Sequence, residues 1–423
     1  MRITMICIGS LGDVKPYIIL GRELQARGHS VSICAFSDFR DMVEQNGLIF
    51  HPISGDARDF IASAMKPNTK GVSFLNEVRA SFIKILKPFL NDLVNASSDA
   101  EAIIATYFGS VFQSIAEMHR VPFVQTHFFP MDANDVTPIS SAPGQGAGRM
   151  WYRTSYKLGY LLINTLERLY LSDWRKENGM SPRKLESKPS YSINGHTIPV
   201  LYAMSPTLMP RPATWGENIQ MTGFWVDERE EAYQPPEALR AFLDAGEPPV
   251  YIGFGSMTSG DMGETLSLVL RAIAESGVRA VISKGWGVTE LPASDNVFVM
   301  DGFVPHDWLF RQVSAVVHHG GAGTTAAGLI AGKPTLVIPF GGDQPFWAMR
   351  VRMLGLGPKP IPREKLTTEK LVRGLRALTS IKSYAVAAQE LGERLRMENG
   401  VVKAADIVER EVGRWLAEDA KEE

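Results

Sequence analysis

The stretch AVVHHGGAGTTAAG, residues 315–328, decides how this chain is read. An apolar run leads into two histidines, four glycines and two threonines. A loop so free of bulk lets a ligand approach the backbone closely. The pattern predicts a strand ending at AVVHH, a turn at GGAGTT and a helix beginning TAAGLIAGKP. The first N–H groups of that helix have no partner within it and point back into the turn. Together with the helix dipole they suit a diphosphate. Glycines alone equally describe a tight strand-to-helix connection with no ligand.

Two other phosphate cradles fail. A Walker loop needs a hydroxyl after its Gly-Lys, and AGKP (331–334) has proline there. A dinucleotide fingerprint needs G-x-G-x-x-G, and in GAGTTAAG (321–328) the last glycine comes two positions late. The next apolar run, TLVIPF (335–340), is followed by GGDQPFW, which brings Asp343 and Gln344 to the same end of the sheet. An acid beside an amide suits the vicinal hydroxyls of a sugar. A diphosphate site next to a hydroxyl site describes a nucleotide sugar.

The pattern has an earlier counterpart. RITMICIGS, then LGDVKPYIILGRELQARGHSV, then SVSICAF reads as strand, turn, helix and strand, with Pro16 in the helix's first turn and Gly28 at its stop. AEAIIATYF (100–108) and VPFVQTHFF (121–129) continue it as strands. A second series begins at PVYIGFGSM (249–257) and runs through TLSLVLRAIAESG, RAVISKG and NVFVMDG. Strands alternating with helices indicate two doubly wound α/β domains, and 423 residues exceed one core. Ligands of such sheets bind outside the carboxyl ends of the strands, so the expectation is two similar domains facing across a cleft. The boundaries expected are an acceptor-binding domain at 1–220, a charged linker at 221–248, a nucleotide-sugar-binding domain at 249–400 and a terminal helix at 401–423. Residues 60–95 and 131–150 depart from the α/β rhythm, the first as amphipathic helix and the second as a Gly/Pro/Ser-rich loop.

Composition narrows the function. With 44 Lys+Arg against 46 Asp+Glu the net charge is −2, which makes no case for nucleic acid as a partner. Cys7 and Cys34 both lie in apolar runs and read as buried thiols. No run of about 20 apolar residues suggests a bilayer span, and no secretory signal is legible. The expectation is a soluble cytoplasmic protein with at most peripheral membrane contact.

HHGGAGTTAAGLIAGKPTLVIPFGGDQPFW (318–347) resembles the donor-site signature of GT-B-fold, nucleotide-sugar-dependent glycosyltransferases. GSLGDVKPYIILGRELQARGH, PPVYIGFGSM, SKGWG, PHDWLF and GLGPKPIP are similar to the sterol 3-β-glucosyltransferase branch and stand in its order, from residue 9 to 362. The resemblance implies that His319 contacts the donor diphosphate, with Ala322, Gly323 and Thr324 around it. It implies that Asp343 and Gln344 hold the sugar, that Phe303, Val304 and His306 frame the base and ribose, and that Ser10 and Ser256 lie near the donor. Trp286 reads equally as pocket lining or as packing under a loop, and His318 as the strand-end partner of His319.

Asp13 occupies the slot where plant members carry a histidine base, three residues before Pro16. The resemblance makes it the general base, while its plain role is an N-cap of the first helix. The helix N-terminus would lower its pKa and an apolar surrounding would raise it. His127 is read as core packing rather than as a second base. Leu11 replaces the arginine of the usual GSRGD. The implied reaction is inverting, metal-independent transfer of glucose from UDP-glucose to a hydrophobic alcohol, giving a β-glucoside. Open alternatives are a dTDP- or other NDP-sugar on a macrolide or flavonoid, a nucleotide-sugar 2-epimerase, and a non-catalytic sugar-nucleotide sensor. An NAD-dependent oxidoreductase lacks its fingerprint. The terminal helix is expected to return to the N-terminal domain.

Overall fold

The computed structural model describes residues 1–56, 88–106, 110–139, 146–183, 188–226, 233–255, 262–283, 295–300, 302 and 304–422. The chain divides into two compact units, one made of Met1–Pro206, Pro210–Trp225 and Asn399–Glu423, the other of Thr207–Met209 and Val226–Glu398.

The first unit runs β1 (Arg2–Ile6), α1 (Leu11–Ala26), β2 (Ser30–Phe36), α2 (Arg40–Gln45), β3 (Ile49–Ile53), β4 (Ala102–Thr106), α3 (Val111–His119), β5 (Phe123–His127), α4 (Arg149–Glu177), the small β6 (Ser192–Ile193) and β7 (His196–Thr197), then β8 (Val200–Tyr202) and β9 (Ile219–Met221). Seven strands pair in the order β3-β2-β1-β4-β5-β8-β9. All six pairings are parallel. Both faces of such a sheet are covered, and β1 shows it, with Ile3, Thr4, Met5 and Ile6 all buried. The order reverses between β1 and β4, which makes their carboxyl ends the switch point where ligands of open α/β sheets bind.

The 29-residue α4 is held by its inner face. Tyr156 and Tyr160 pack on Ile139, and the Tyr156 hydroxyl accepts from Asn134 Nδ2 at 2.8 Å. Further along, Arg175 grips Glu117 with two nitrogens at 2.8 and 2.9 Å, and Ser110 donates to Glu167 from N (2.9 Å) and Oγ (2.7 Å). Those anchors at both ends fix which face of α4 turns outward.

The second unit runs α5 (Glu237–Asp244), β10 (Val250–Gly253), α6 (Met262–Ser276), β11 (Ala280–Ser283), β12 (Val297–Met300), α7 (His306–Gln312), β13 (Ala315–His318), α8 (Ala322–Ile330), β14 (Thr335–Val337), α9 (Gln344–Met353), α10 (Thr368–Ser380) and α11 (Lys382–Arg396). Its five strands order as β12-β11-β10-β13-β14, all parallel, with the reversal between β10 and β13. Alternate residues of β10 serve opposite cores. Val250 and Ile252 join Val317, Leu371 and Leu375, while Tyr251 joins Val316, Leu239 and Phe310. α8 is seated by a backbone approach, since a Cβ on Gly392 would lie 2.9 Å from both Gly332 Cα and Leu329 O.

The last helix, α12 (Gly400–Glu422), belongs to the first unit. Gly400 is pressed so closely on the chain that a Cβ would meet Phe224 O at 2.3 Å. α12 then lies against α1, with Arg27 reaching Asp406 (2.7 Å) and Glu409 (2.8 Å), and His29 Nε2 2.8 Å from Glu409. Near its end Trp415 stacks on His196 at 4.3 Å. Among the described residues no helix is long and apolar enough to cross a membrane.

Candidate active site

In the first unit, Asp13 stands in the opening turn of α1, just beyond the carboxyl end of β1 at the switch point. Its Oδ2 accepts from Ser10 N at 2.7 Å and from Ser10 Oγ at 3.1 Å, and Ser10 Oγ in turn accepts from Gly12 N at 3.2 Å. This is a capping box in which Ser10, not Asp13 as expected, is the N-cap, and Asp13 closes it from the N3 position as a short acid. Gly9 makes room for it: at φ +136° its missing Cβ would fall 2.2 Å from Asp13 Oδ2. Burial raises the Asp13 pKa, and the Ser10 hydrogen bonds pull against it without prevailing. Of the two opposing effects expected from the sequence, desolvation wins. Ser10, expected beside the donor, has its hydroxyl engaged on Asp13.

One turn along α1, Tyr17 is fully buried, bonds Thr126 through its hydroxyl and meets Phe128 and Trp225 edge-on, with centroids at 5.7 and 6.1 Å. The sequence offered only one signal for this aromatic group, the i, i+4 spacing of Asp13 and Tyr17. His127 is buried, takes a hydrogen bond at Nε2 from Gln125 (2.9 Å) and lies 4.9 Å from the Tyr202 ring. Burial pushes its pKa down to about 3, so the ring is a neutral part of the core.

The second unit gathers its candidate residues at its own switch point. Gly253 of β10 is in register with His318 of β13. His318 Nδ1 accepts from Gly320 N at 2.9 Å, which fixes the turn and puts its proton on Nε2. His319 follows, its ring wedged where glycines flank it. A Cβ on Gly321 would lie 2.5 Å from Nε2, and one on Gly255 would lie 3.0 Å from Cε1. Burial lowers the His319 pKa to about 4, and its Nδ1 has no hydrogen-bond partner among the described residues.

α8 starts immediately after, with Gly321 as N-cap and no side chain capping it, so the N–H groups of Ala322, Gly323 and Thr324 open its first turn. The two threonines divide their work. Thr325 is buried and bonds back to Gly321 O at 2.8 Å, while Thr324 keeps part of its surface exposed.

Past β14, Gln344 Oε1 accepts from Phe340 N (2.7 Å) and Gly341 N (3.2 Å), which pins the loop and fixes the amide's orientation. Asp343 Oδ2 accepts from Trp347 Nε1 at 2.9 Å. The Val304 side chain is buried in the core beside Leu309 and Phe310, so any contact it makes with a base is through its main chain. His306 stacks on Phe310 at 4.5 Å, with Nε2 3.2 Å from the Tyr251 hydroxyl. Ser256, Trp286 and Phe303 lie outside the described residues, as does most of the 60–95 stretch. No cluster of three metal-ligating side chains occurs among the described residues.

Two parallel α/β units with a helix N-terminus and histidine at one switch point describe a GT-B glycosyltransferase, and comparison with known proteins agrees. Residues 3–138 match the glycosyltransferase family 28 N-terminal domain, and residues 270–409 match the erythromycin biosynthesis protein CIII-like C-terminal domain. Similar solved structures include the glycotransferase of kitacinnamycin (TM-score 0.70, 20% identity, 97% of this chain and 98% of that one). The calicheamicin glycosyltransferase CalG4 also matches (0.69, 17%, 98% of each). These two identities establish the fold alone.

Sequence relatives go further. The sterol 3-beta-glucosyltransferase UGT80B1 of Arabidopsis thaliana is 36% identical over 97% of this chain and 68% of its own length. UGT80A2 of the same plant is 34% identical over 96% of this chain and 64% of its own length. A sterol 3-beta-glucosyltransferase of Cryptococcus neoformans is 32% identical over 97% of this chain, which spans only 27% of it. The chain belongs to the sterol 3-beta-glucosyltransferase family and is a glycosyltransferase.

Proposed function

We propose that this chain transfers glucose from UDP-glucose to the 3β-hydroxyl of a sterol, with inversion, to give a steryl β-glucoside. The single observation that carries the donor half is the uncapped start of α8 beside the neutral, glycine-flanked His319. The sterol acceptor rests on the names of the relatives. The N–H groups of Ala322 and Gly323, the Thr324 hydroxyl and His319 stabilise charge as UDP departs. On this reading no divalent cation is required. Asp343 and Gln344 hold sugar hydroxyls, each oriented by its own neighbour.

Asp13 accepts the proton of the sterol hydroxyl as its oxygen attacks the anomeric carbon from the side opposite the nucleotide. A carboxylate whose pKa is raised by burial is a better base than an ordinary one, and Ser10 occupies Oδ2, leaving Oδ1 to take the proton. The test is incubation with UDP-glucose and detergent-dispersed sterol, with product mass and anomeric proton coupling read together. A β-configured steryl hexoside formed equally in EDTA supports the proposal. An α-glucoside, or no sterol-dependent product, rejects it.

A further inference from the structure

The outer face of α4 is unusual for a helix in water. Met150 is 84% exposed, Leu158 55%, Leu161 41% and Leu162 62%. At about 3.6 residues per turn, positions 150, 154, 158, 161, 162 and 165 share one stripe. Thr154 and Thr165 complete it, and each turns its hydroxyl back onto its own helix, to Met150 O (2.9 Å) and Leu161 O (2.7 Å). The stripe therefore presents methyl and methylene groups while its hydroxyls are satisfied.

Cations border the same face. Arg149, Arg153 and Lys157 are exposed, and the helix contains no acid between 149 and 166. One neighbouring acid, Asp135, pairs with Arg153 at 2.6 Å. Inward rotation of the apolar stripe is blocked by the anchors already described, Tyr156 on Asn134 at one end and Arg175 on Glu117 at the other. A helix with Leu and Met on one face and Arg and Lys along its edge is built to lie in a membrane interface.

We propose that the outer face of α4 docks this protein on an anionic lipid bilayer, its apolar stripe at the acyl boundary and its cations among the headgroups. A second copy is the poorer occupant. A two-fold contact that sets the two helices antiparallel would bring the cationic edge of one onto that of the other, and a parallel one would still add all the cations to one seam, whereas an anionic surface attracts them. The inference stands on the helix face alone and goes beyond the proposed function, although a water-insoluble acceptor would give the docking a use.

The experiment is flotation of the full chain with phosphatidylcholine vesicles, with and without phosphatidylserine, for the native protein, Leu158→Ser/Leu162→Ser and Lys157→Glu. Light scattering, thermal midpoint and turnover on detergent-dispersed sterol are measured in parallel. The native chain is expected to float with the phosphatidylserine vesicles and to be released by salt. The double variant should lose roughly tenfold or more in partitioning and Lys157→Glu roughly fivefold, with midpoint and turnover unchanged. Turnover failing in every sample would count against the sterol reading and leave the flotation result to be judged by itself. No flotation of the native chain, equal flotation of the double variant, or a dimer that the double variant dissolves would overturn the docking.

Discussion

Asp13 Oδ2 receives two hydrogen bonds from Ser10, 2.7 Å from the backbone nitrogen and 3.1 Å from the hydroxyl, in a space open only because residue 9 is glycine. The acid that closes the capping box of α1 and the proposed base are therefore one group. Capping orients the carboxylate, and burial raises its proton affinity.

Ser10→Ala removes one of the two interactions that lower the Asp13 pKa and keeps the backbone one. The acid limb of kcat/KM is expected to move to higher pH than in the native enzyme, with a loss of about 1 kcal/mol in stability from the cap. A pH–rate profile on both proteins checks this. An unmoved limb would separate Ser10 from the titrating group.

Gly321→Ala tests the seat of His319. The backbone at 321 has φ −64° and ψ 145°, which alanine adopts freely, so the cost is steric. The new methyl, 2.5 Å from Nε2, must displace the ring. UDP affinity should fall roughly tenfold or more, as when a charge-assisted hydrogen bond is lost, which isothermal titration measures directly.

Trp347→Phe removes the indole donor at 2.9 Å from Asp343 Oδ2 and keeps most of the packing. If Trp347 positions the sugar-binding acid, the KM for UDP-glucose rises several-fold while the Kd for UDP is unchanged. Equal losses in both would make Trp347 a general support of α9.

Asp132 is buried and accepts from the Tyr202 hydroxyl at 2.7 Å, yet burial pushes its pKa up to about 7. Its folded-state pKa lies above the unfolded value, so the folded form holds the proton over that interval. This group's contribution to stability is then fully present below the unfolded pKa and is lost as pH rises to about 7. Thermal midpoints measured from pH 4 to pH 8 should decline in the native protein through this contribution, and Asp132→Asn should flatten the curve.

The sequence made legible those elements whose pattern is local. SVSICAF is β2 residue for residue, and AVVHH through TAAGLI became β13 and α8 because a strand, a glycine turn and a helix each leave their own periodicity, although α8 opens at Ala322, inside the stretch expected as turn, and ends at Ile330, before the expected GKP. The three-residue strands β8 and β9 carry too little alternation to be seen, and their place is set by pairing with β5 and with each other. α4 was not read, and its first two residues, Arg149 and Met150, fell in the stretch expected as loop, since its outer face is apolar where a surface helix is usually polar. At the site, the residue types were visible but their partners were not. Nothing in the spacing shows that Gln344 spends its carbonyl on Phe340 and Gly341, because that contact depends on where the chain turns back on itself. Ser10 and Asp13 do stand at the i, i+3 spacing of a capping box, and reading Asp13 itself as the N-cap passed over it.

Asp13→Asn gives the most direct test of the whole account. Asparagine retains an acceptor for Ser10 and removes a carboxylate whose pKa burial has raised, so the thermal midpoint should hold or rise at neutral pH. UDP release from UDP-glucose in the presence of sterol should fall by about 10² to 10⁴, the span of general-base catalysis. Near-native turnover in a folded Asp13→Asn protein would contradict the account, leaving Asp13 as a helix cap and the base elsewhere.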